Sequence, residues 1–111
     1  MKRILAPILL ALTFTVMLSS TSFADCEEVS KDKNWSIIYT GTVTGYRDSN
    51  GKRSDDFEGC DFGRDLILDY SKKVTCDTFD YTYSYMPNIE IYSDGYSLKA
   101  CIEDTLYDVS R

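Results

Sequence analysis

The residues of this chain that could do chemistry are carboxylates rather than histidines or free thiols. Six of its eighteen acidic residues crowd one stretch: Asp55, Asp56, Glu58, Asp61, Asp65 and Asp69. The chain has no histidine, which removes Ser-His-Asp and Cys-His catalysis and the common histidine zinc site. A glycosidase needs two carboxylates facing each other across a cleft, which so small a chain could hardly build. The sequence therefore predicts no enzymatic activity and no catalytic residue.

Calcium is the second chemistry that carboxylates offer. The segment "DSNGKRSDDFEG" starts at Asp48 like an EF-hand loop, but Arg53 stands at its sixth position instead of Gly, and Gly59 at its twelfth instead of Glu. An irregular calcium site remains an alternative, with the ligands Asp55, Asp56, Glu58 and Asp61. We expect a solvated acidic loop, with no metal and no cofactor.

The third use of this stretch is recognition of a partner. In "FEGCDFGRD", Gly59 and Gly63 indicate unusual backbone angles, and two phenylalanines could pin the segment to a core. Arg64 is expected to pair with one of the neighbouring carboxylates. A loop held rigidly by a disulfide at Cys60 could bind a partner. The predicted partner-binding residues are Asp55, Asp56, Glu58, Asp61 and Arg64.

The other conspicuous stretch is "FDYTYSYMP", which puts an aromatic ring at every second position from Phe79 to Tyr85. Because side chains alternate along a strand, this tyrosine row is typical of one buried face, with hydroxyls reaching the rim of a barrel. That is the favoured interpretation, and it requires a bulge or turn near Asp77-Thr78. The alternative is a ligand platform for sugar rings, formed by Tyr81, Tyr83 and Tyr85.

The N-terminal residues 1–24 have the layout of a secretory signal peptide. "MKR" is followed by the apolar run "ILAPILLALTFTVML", and Ser22 and Ala24 occupy the positions that a signal peptidase requires before a cut at Asp25. The run is short for a transmembrane anchor. We therefore expect a periplasmic or secreted bacterial protein, cleaved after Ala24, with residues 25–111 forming one domain and no membrane insertion after cleavage.

The charge of the mature chain narrows its partners. Without Lys2 and Arg3, ten basic and eighteen acidic residues remain, a formal charge of −8. Nucleic acids and anionic membranes are polyanions and are poor partners for such a surface. A basic protein or a cation is a better expectation, although acidity also simply keeps an exported protein soluble.

The four cysteines, Cys26, Cys60, Cys76 and Cys101, predict two disulfides in an oxidising compartment. Strand parity turns Cys76 inward with Val74, whereas Cys101 shares an outward face with Lys99. A bond between Cys76 and Cys101 is therefore disfavoured. Of the two remaining pairings we prefer Cys60–Cys76 with Cys26–Cys101.

The rest of the mature chain indicates short antiparallel strands. "WSIIYTGTVTGYRD" is a strand whose glycines permit a sharp bend, "RDLILDY" and "KKVTC" form a hairpin, and Asp94-Gly95 joins "IEIYS" to "YSLKACIED". "TLYDVS" is a last strand, "DCEEVSKDKN" is a charged arm, and no helical periodicity is visible. About five or six strands predict an all-β fold, a small OB-like or SH3-like antiparallel barrel. The alternative is a small β-sandwich.

Three segments, "YTGTVTGYRD", "DDFEGCDFGRDLILD" and "LYDV", together resemble small exported bacterial proteins of uncharacterised function. The likeness spans most of the mature chain and implies no activity. In being small, acidic, exported and disulfide-bonded, the chain is also similar to periplasmic lysozyme inhibitors, a similarity that transfers no site residue.

These observations favour a non-enzymatic exported binding module. We expect a protein partner, a basic one met through the acidic loop, in the manner of an inhibitor or adaptor. The alternative is a small ligand, either a glycan or calcium, bound by the tyrosine row or the acidic loop. The sequence leaves the oligomeric state open.

Overall fold

The computed structural model describes residues 24–111, so the segment predicted as a signal peptide lies outside the described residues except for Ala24. This range contains one helix, α1 (Ala24–Ser30). It contains seven strands: β1 (Ser36–Arg47), β2 (Arg53–Ser54), β3 (Asp65–Leu68), β4 (Lys72–Cys76), β5 (Asn88–Ser93), β6 (Leu98–Ile102) and β7 (Thr105–Ser110).

The strands form one antiparallel sheet in the order β2-β1-β3-β4-β7-β6-β5. An additional pairing of β1 with β5 joins the two sides of this sheet, so that six strands close into a barrel and β2 is attached outside the ring. The predicted small antiparallel barrel is confirmed, and the alternative sandwich is not formed.

Closure depends on β1, which pairs with a different strand in each half of its length. Its first half, 36–42, pairs with β5, and its second half, 43–47, pairs with β3. Gly45 lies in the second half, where a Cβ atom would stand 2.5 Å from the carbonyl oxygen of Ser54 in β2. The glycine therefore allows β2 to lie close to β1.

The core sits inside the barrel and follows the period of two of each strand. The buried side chains alternate with more exposed ones in β3 to β7: Leu66 and Leu68, Val74 and Cys76, Ile89 and Ile91, Ala100 and Ile102, and Tyr107 and Val109. Phe57, from the acidic loop, closes the core with its ring edge-on to Tyr107 at a centroid distance of 6.0 Å.

Both preferred disulfides are present, Cys60–Cys76 and Cys26–Cys101. Cys60 and Cys76 are buried in the core, whereas Cys101 is half-buried on the outer side of β6 and holds α1 there. The parity argument is therefore confirmed. Two disulfides and no free cysteine among residues 24–111 indicate an oxidising compartment, extracellular or periplasmic.

The prediction of a charged arm without helix is wrong for residues 24–30. They form α1, which buries Cys26 and Val29 against the barrel and exposes Glu27, Glu28 and Ser30. Cys26 and Val29 are three residues apart and share one helix face, but two apolar residues give too short a periodic pattern to recognise. In the described part of the chain, no helix has the length and apolar character needed to cross a membrane.

Candidate functional site

The tyrosine row is not a buried strand. It lies between β4 and β5, where only Asp80 and Ser84 form isolated β-bridges. Phe79, Tyr81, Tyr83 and Tyr85 are 62%, 64%, 57% and 70% exposed, so the prediction that the row forms part of the core is wrong. Six strands already fill the barrel interior, and the alternating rings point away from it.

The row instead pairs with the acidic loop. Phe57 and Ser84 exchange two backbone hydrogen bonds, of 3.2 and 3.0 Å, and Cys60 and Asp80 exchange two more, of 2.8 and 3.0 Å. We call this pair of segments, 57–60 and 80–84, the ribbon. Gly59 makes the pairing possible, because its φ is +84° and a Cβ atom would stand 2.1 Å from the carbonyl oxygen of Asp80.

Pairing in the ribbon brings carboxylates next to phenol rings. The Tyr83 hydroxyl donates a hydrogen bond of 3.4 Å to Asp56 Oδ1. The charge of Asp56 raises the pKa of Tyr83, and burial, this hydrogen bond and the charges near it, including Glu58, act in the same direction. The exposed phenol of Tyr83 therefore lies in a negative potential.

The carboxylate of Glu58 is fixed by a hydrogen bond from a buried tyrosine. The buried Tyr46 donates a hydrogen bond of 3.0 Å to Glu58 Oε1. Burial raises the pKa of Tyr46 first, and the bond to Glu58 raises it further. A carboxylate fixed in this way presents a preorganised negative charge beside the tyrosine row.

The two sets that the sequence offered as alternatives are thus neighbours. We call them together the acidic–aromatic surface: Asp55, Asp56, Glu58, Tyr81, Tyr83 and Tyr85. Sequence reasoning missed their adjacency, although a signal existed. A Cys60–Cys76 bridge places the chain after Cys76 beside Cys60, and residues 77–84 then run back along the acidic loop.

Arg64 is buried beneath this surface rather than exposed on it, and its predicted pairing with a neighbouring carboxylate is wrong. Only 9% of the residue is exposed, and its guanidinium lies 4.0 Å from the centre of the Tyr46 ring. Its Nε donates to Asp48 at 2.6 Å, not to the neighbouring carboxylates that the sequence suggested. Its Nη1 donates to the carbonyl oxygens of Glu58 and Gly59 at 3.3 and 3.2 Å. Arg64 therefore supports the ribbon from inside.

The far end of the acidic loop is a separate turn. Asp61 is exposed and accepts a 2.9 Å hydrogen bond from the Phe62 amide. Phe57 is fully buried, as predicted, but Phe62 is 66% exposed and pins nothing to the core. The structure thus places Asp61 beyond the disulfide rather than beside the tyrosines.

The calcium alternative has no site among the residues described. Nowhere in residues 24–111 do three or more histidine, cysteine, aspartate or glutamate side chains converge to hold a metal ion. Asp56 and Glu58 are engaged by tyrosine hydroxyls instead.

Comparisons of this chain with protein-family models, with curated proteins and with solved structures found no match.

Proposed function

We propose that this protein is a non-enzymatic, exported bacterial binding module that engages a basic protein partner through the acidic–aromatic surface. The observation that carries the proposal is the joining of the acidic loop to the tyrosine row in one ribbon. Residues 25–111 are the mature form, released after Ala24 into the periplasm or the medium. The module acts as an inhibitor or adaptor rather than as a catalyst.

The chemistry of the surface supports a partner rich in arginine or lysine. Arginine guanidinium groups stack on exposed phenol rings and pair with carboxylates, and Asp56 and Tyr83 offer both within one hydrogen bond of each other. Exposed aromatic rings are enriched where proteins bind each other. The negative charge of the chain adds attraction at long range, which salt reduces.

The fixed backbone of the ribbon lowers the entropic cost of binding. The disulfide, four backbone hydrogen bonds and the Arg64 contacts hold the segment before any partner arrives. A binding surface that is already ordered loses less freedom on association.

The experiment compares variants of the oxidised mature protein, immobilised and exposed to an envelope extract at low salt. We expect a basic protein that elutes with a salt step and is lost in the Asp56→Asn/Glu58→Gln variant and in Tyr83→Ala. The matched controls are Glu28→Gln/Asp104→Asn, which removes the same charge from exposed sites elsewhere, and Tyr96→Ala, which removes a ring that is 98% exposed. Equal retention by the surface variants and their controls would rule this partner surface out.

A glycan is the second candidate, and the exposure of Tyr81, Tyr83 and Tyr85 favours it. Sugar rings stack on phenol faces without needing a charge. Glycan binding should therefore persist at high salt and in Asp56→Asn/Glu58→Gln, and be lost only in Tyr83→Ala.

A further inference from the structure

A second feature of the barrel lies between β4 and β7, which pair over only part of their length. β4 and β7 pair only through Thr75 with Ser110 and Cys76 with Val109. The first three residues of β4, 72–74, therefore have no ladder partner on that side within the described residues. A cavity of about 440 Å³ opens there, which is within the range of about 300–1,000 Å³ of small-molecule sites.

The interior of this cavity is apolar. Leu68, Val74 and Ile91 belong to the barrel core and form its floor, and Leu98 lines it from β6. Ile38 also lines it and is 46% exposed, although β-branched aliphatic side chains are usually buried. An apolar molecule in the cavity would remove this surface from water.

The rim of the cavity is cationic. Lys72, Lys73 and Arg111 line it, in a chain with formal charge −6. Lys73 lies 3.9 Å from Asp65, while Lys72 and Arg111 form no salt bridge with any of the residues described. Neither the Lys72 nor the Arg111 side chain is therefore neutralised by an Asp or Glu side chain of the described residues.

The nearest carboxylate on the adjoining turn is already occupied. Asp69 accepts hydrogen bonds from the Tyr39 hydroxyl and, at 3.2 Å, from the Thr42 amide. The bond to Asp69 raises the pKa of Tyr39 first, and burial and the charge of Asp69 add to it. Asp69 is thereby directed to β1 rather than to the lysines.

A second cavity shares Leu98 and Arg111 with this one but contains a different lysine. It has a volume of about 750 Å³ and includes Lys99, but Lys99 is bound to Asp108 at 2.6 Å and lies 5.8 Å from the centre of the Trp35 ring. Lys99 is thus already paired within the chain, whereas Arg111, which lines both cavities, has no side-chain carboxylate partner among residues 24–111.

We propose that the cavity at the gap between β4 and β7 binds an amphipathic carboxylate, with the apolar body on Leu68, Val74 and Ile91 and the carboxylate between Lys72 and Arg111. A lysine and an arginine at an apolar mouth match this combination, because each neutralises the anion and Arg111 offers paired donors. This site is independent of the acidic–aromatic surface. Alkyl and aromatic acids share the chemistry, and the test separates them.

The test is calorimetric titration of the oxidised mature protein with dodecanoate, dodecanol and dodecylammonium, and with 2-naphthoate, all as monomers in solution. We expect dodecanoate to bind at least tenfold more tightly than dodecanol and dodecylammonium to bind worst. Preference for 2-naphthoate over dodecanoate would identify an aromatic acid as the ligand class. No binding by either acid, or equal affinity for the acid, the alcohol and the amine, would overturn the proposal.

Variants assign the site to these residues. Lys72→Gln/Arg111→Gln should weaken the binding of the preferred acid at least tenfold and leave dodecanol unchanged, and Ile38→Ser should weaken both. Lys33→Gln/Lys52→Gln removes the same charge from exposed positions elsewhere and should change neither. If this control weakens the acid as much as the rim variant does, the attraction is general and the site is refuted. Unchanged urea midpoints confirm that each variant is folded.

Discussion

The β5–β6–β7 meander and the ribbon hold their chain in different ways. Every residue from Ile89 to Ser93 pairs with β6, and residues 98–102 of β6 pair with β5 on one side and with β7 on the other. The ribbon has two isolated bridges and owes its place to one disulfide, one glycine and one buried arginine. Ladders on both sides turn alternating side chains into a core, whereas a segment paired on one side leaves its rings exposed.

The two ways of holding the chain affect how each region tolerates substitution. The meander supplies the core residues Ile89, Ile91, Ala100, Ile102 and Tyr107, and a change there affects the whole fold. The ribbon and the residues that flank it form the acidic–aromatic surface and contribute only a few buried groups. A surface of this kind can vary in sequence while the barrel beneath it stays the same.

The largest change in stability is expected when each disulfide is removed by replacing both of its cysteines with alanine. Restriction of the unfolded chain predicts a loss of about 3 kcal/mol for the sequence separation of 16 between Cys60 and Cys76, and about 4.5 kcal/mol for the separation of 75 between Cys26 and Cys101. Urea unfolding measures both. The larger loss should come from the bridge that lies outside the ribbon.

Hydrogen exchange shows which part of the protein is destabilised when the Cys60–Cys76 disulfide is removed. Without Cys60–Cys76, the amides of Phe57, Cys60, Asp80 and Ser84 should lose protection while those of β5 and β6 keep theirs. The Cys26–Cys101 variant is the control and should keep the ribbon protected. Equal loss of protection in the meander and the ribbon would contradict the division into two separately held regions.

The next largest effect is expected from alanine substitution at two glycines that have positive φ angles. Gly59, in the ribbon, has φ +84° and meets Asp80 O, whereas Gly95, in the β5–β6 turn, has φ +98° and open space around it. Gly59→Ala should cost about 2–4 kcal/mol, because strain and a backbone clash add, and Gly95→Ala about 1 kcal/mol for strain alone. Thermal and urea unfolding give both values. Equal costs would mean that the ribbon yields to the added methyl group.

The same pair of regions explains how far the sequence predicted the fold. The barrel strands follow from local signals: alternation in "IEIY", the Asp94-Gly95 turn and the opposite parity of Cys76 and Cys101. Parity also disfavoured a Cys76–Cys101 bond, and the preference between the two remaining pairings is confirmed. Local signals are reliable in the barrel because its strands belong to one closed sheet. The apolar residues that alternate along such a strand are therefore the ones that are buried.

The candidate site was predicted only in pieces. Asp56, Glu58 and Tyr83 were singled out, but their proximity depends on pairing between segments whose bridged residues are 20 and 27 positions apart. The tyrosine row was placed in the core because alternation alone does not tell on how many sides a segment is paired. Arg64 was placed on the surface because its partner Asp48 is sixteen residues away, and local charge gave nearer candidates.

The third prediction concerns the tyrosine beneath the ribbon. The Tyr46 hydroxyl donates to the carboxylate of Glu58, so Tyr46→Phe should cost about 1–2 kcal/mol, since hydrogen bonds to charged groups exceed the usual value. Tyr92 makes the same type of bond to Glu90 in the meander at 2.9 Å. Tyr92→Phe, measured by urea unfolding, should cost a similar amount. A cost for Tyr92 alone would show that the ribbon contact does not persist in solution.

The smallest effect belongs to Tyr107, the buried tyrosine of the meander. Its hydroxyl has no hydrogen-bond partner among residues 24–111, so Tyr107→Phe removes an unsatisfied polar group and fills the same volume. At pH 7 the free energy of unfolding should change by less than about 0.5 kcal/mol, or rise slightly. A loss of more than 1 kcal/mol would mean that the hydroxyl is satisfied in solution, by water or by Thr82 or Thr105.

Alkaline pH makes the role of Tyr107 measurable. Burial raises its pKa, opposed by the nearby Thr82 and Thr105 hydroxyls, so the folded protein retains a proton that the unfolded chain releases near pH 10. Stability is therefore complete below about pH 10 and falls as the pH rises through the raised pKa. Tyr46 and Tyr92 contribute in the same direction. The Tyr107→Phe variant lacks the proton that the buried hydroxyl retains in the folded state. The free energy of unfolding of this variant should therefore fall less steeply than that of the parent between pH 9 and 11. Parallel curves would place the alkaline sensitivity in the hydrogen-bonded tyrosines and show that the buried hydroxyl of the meander does not contribute.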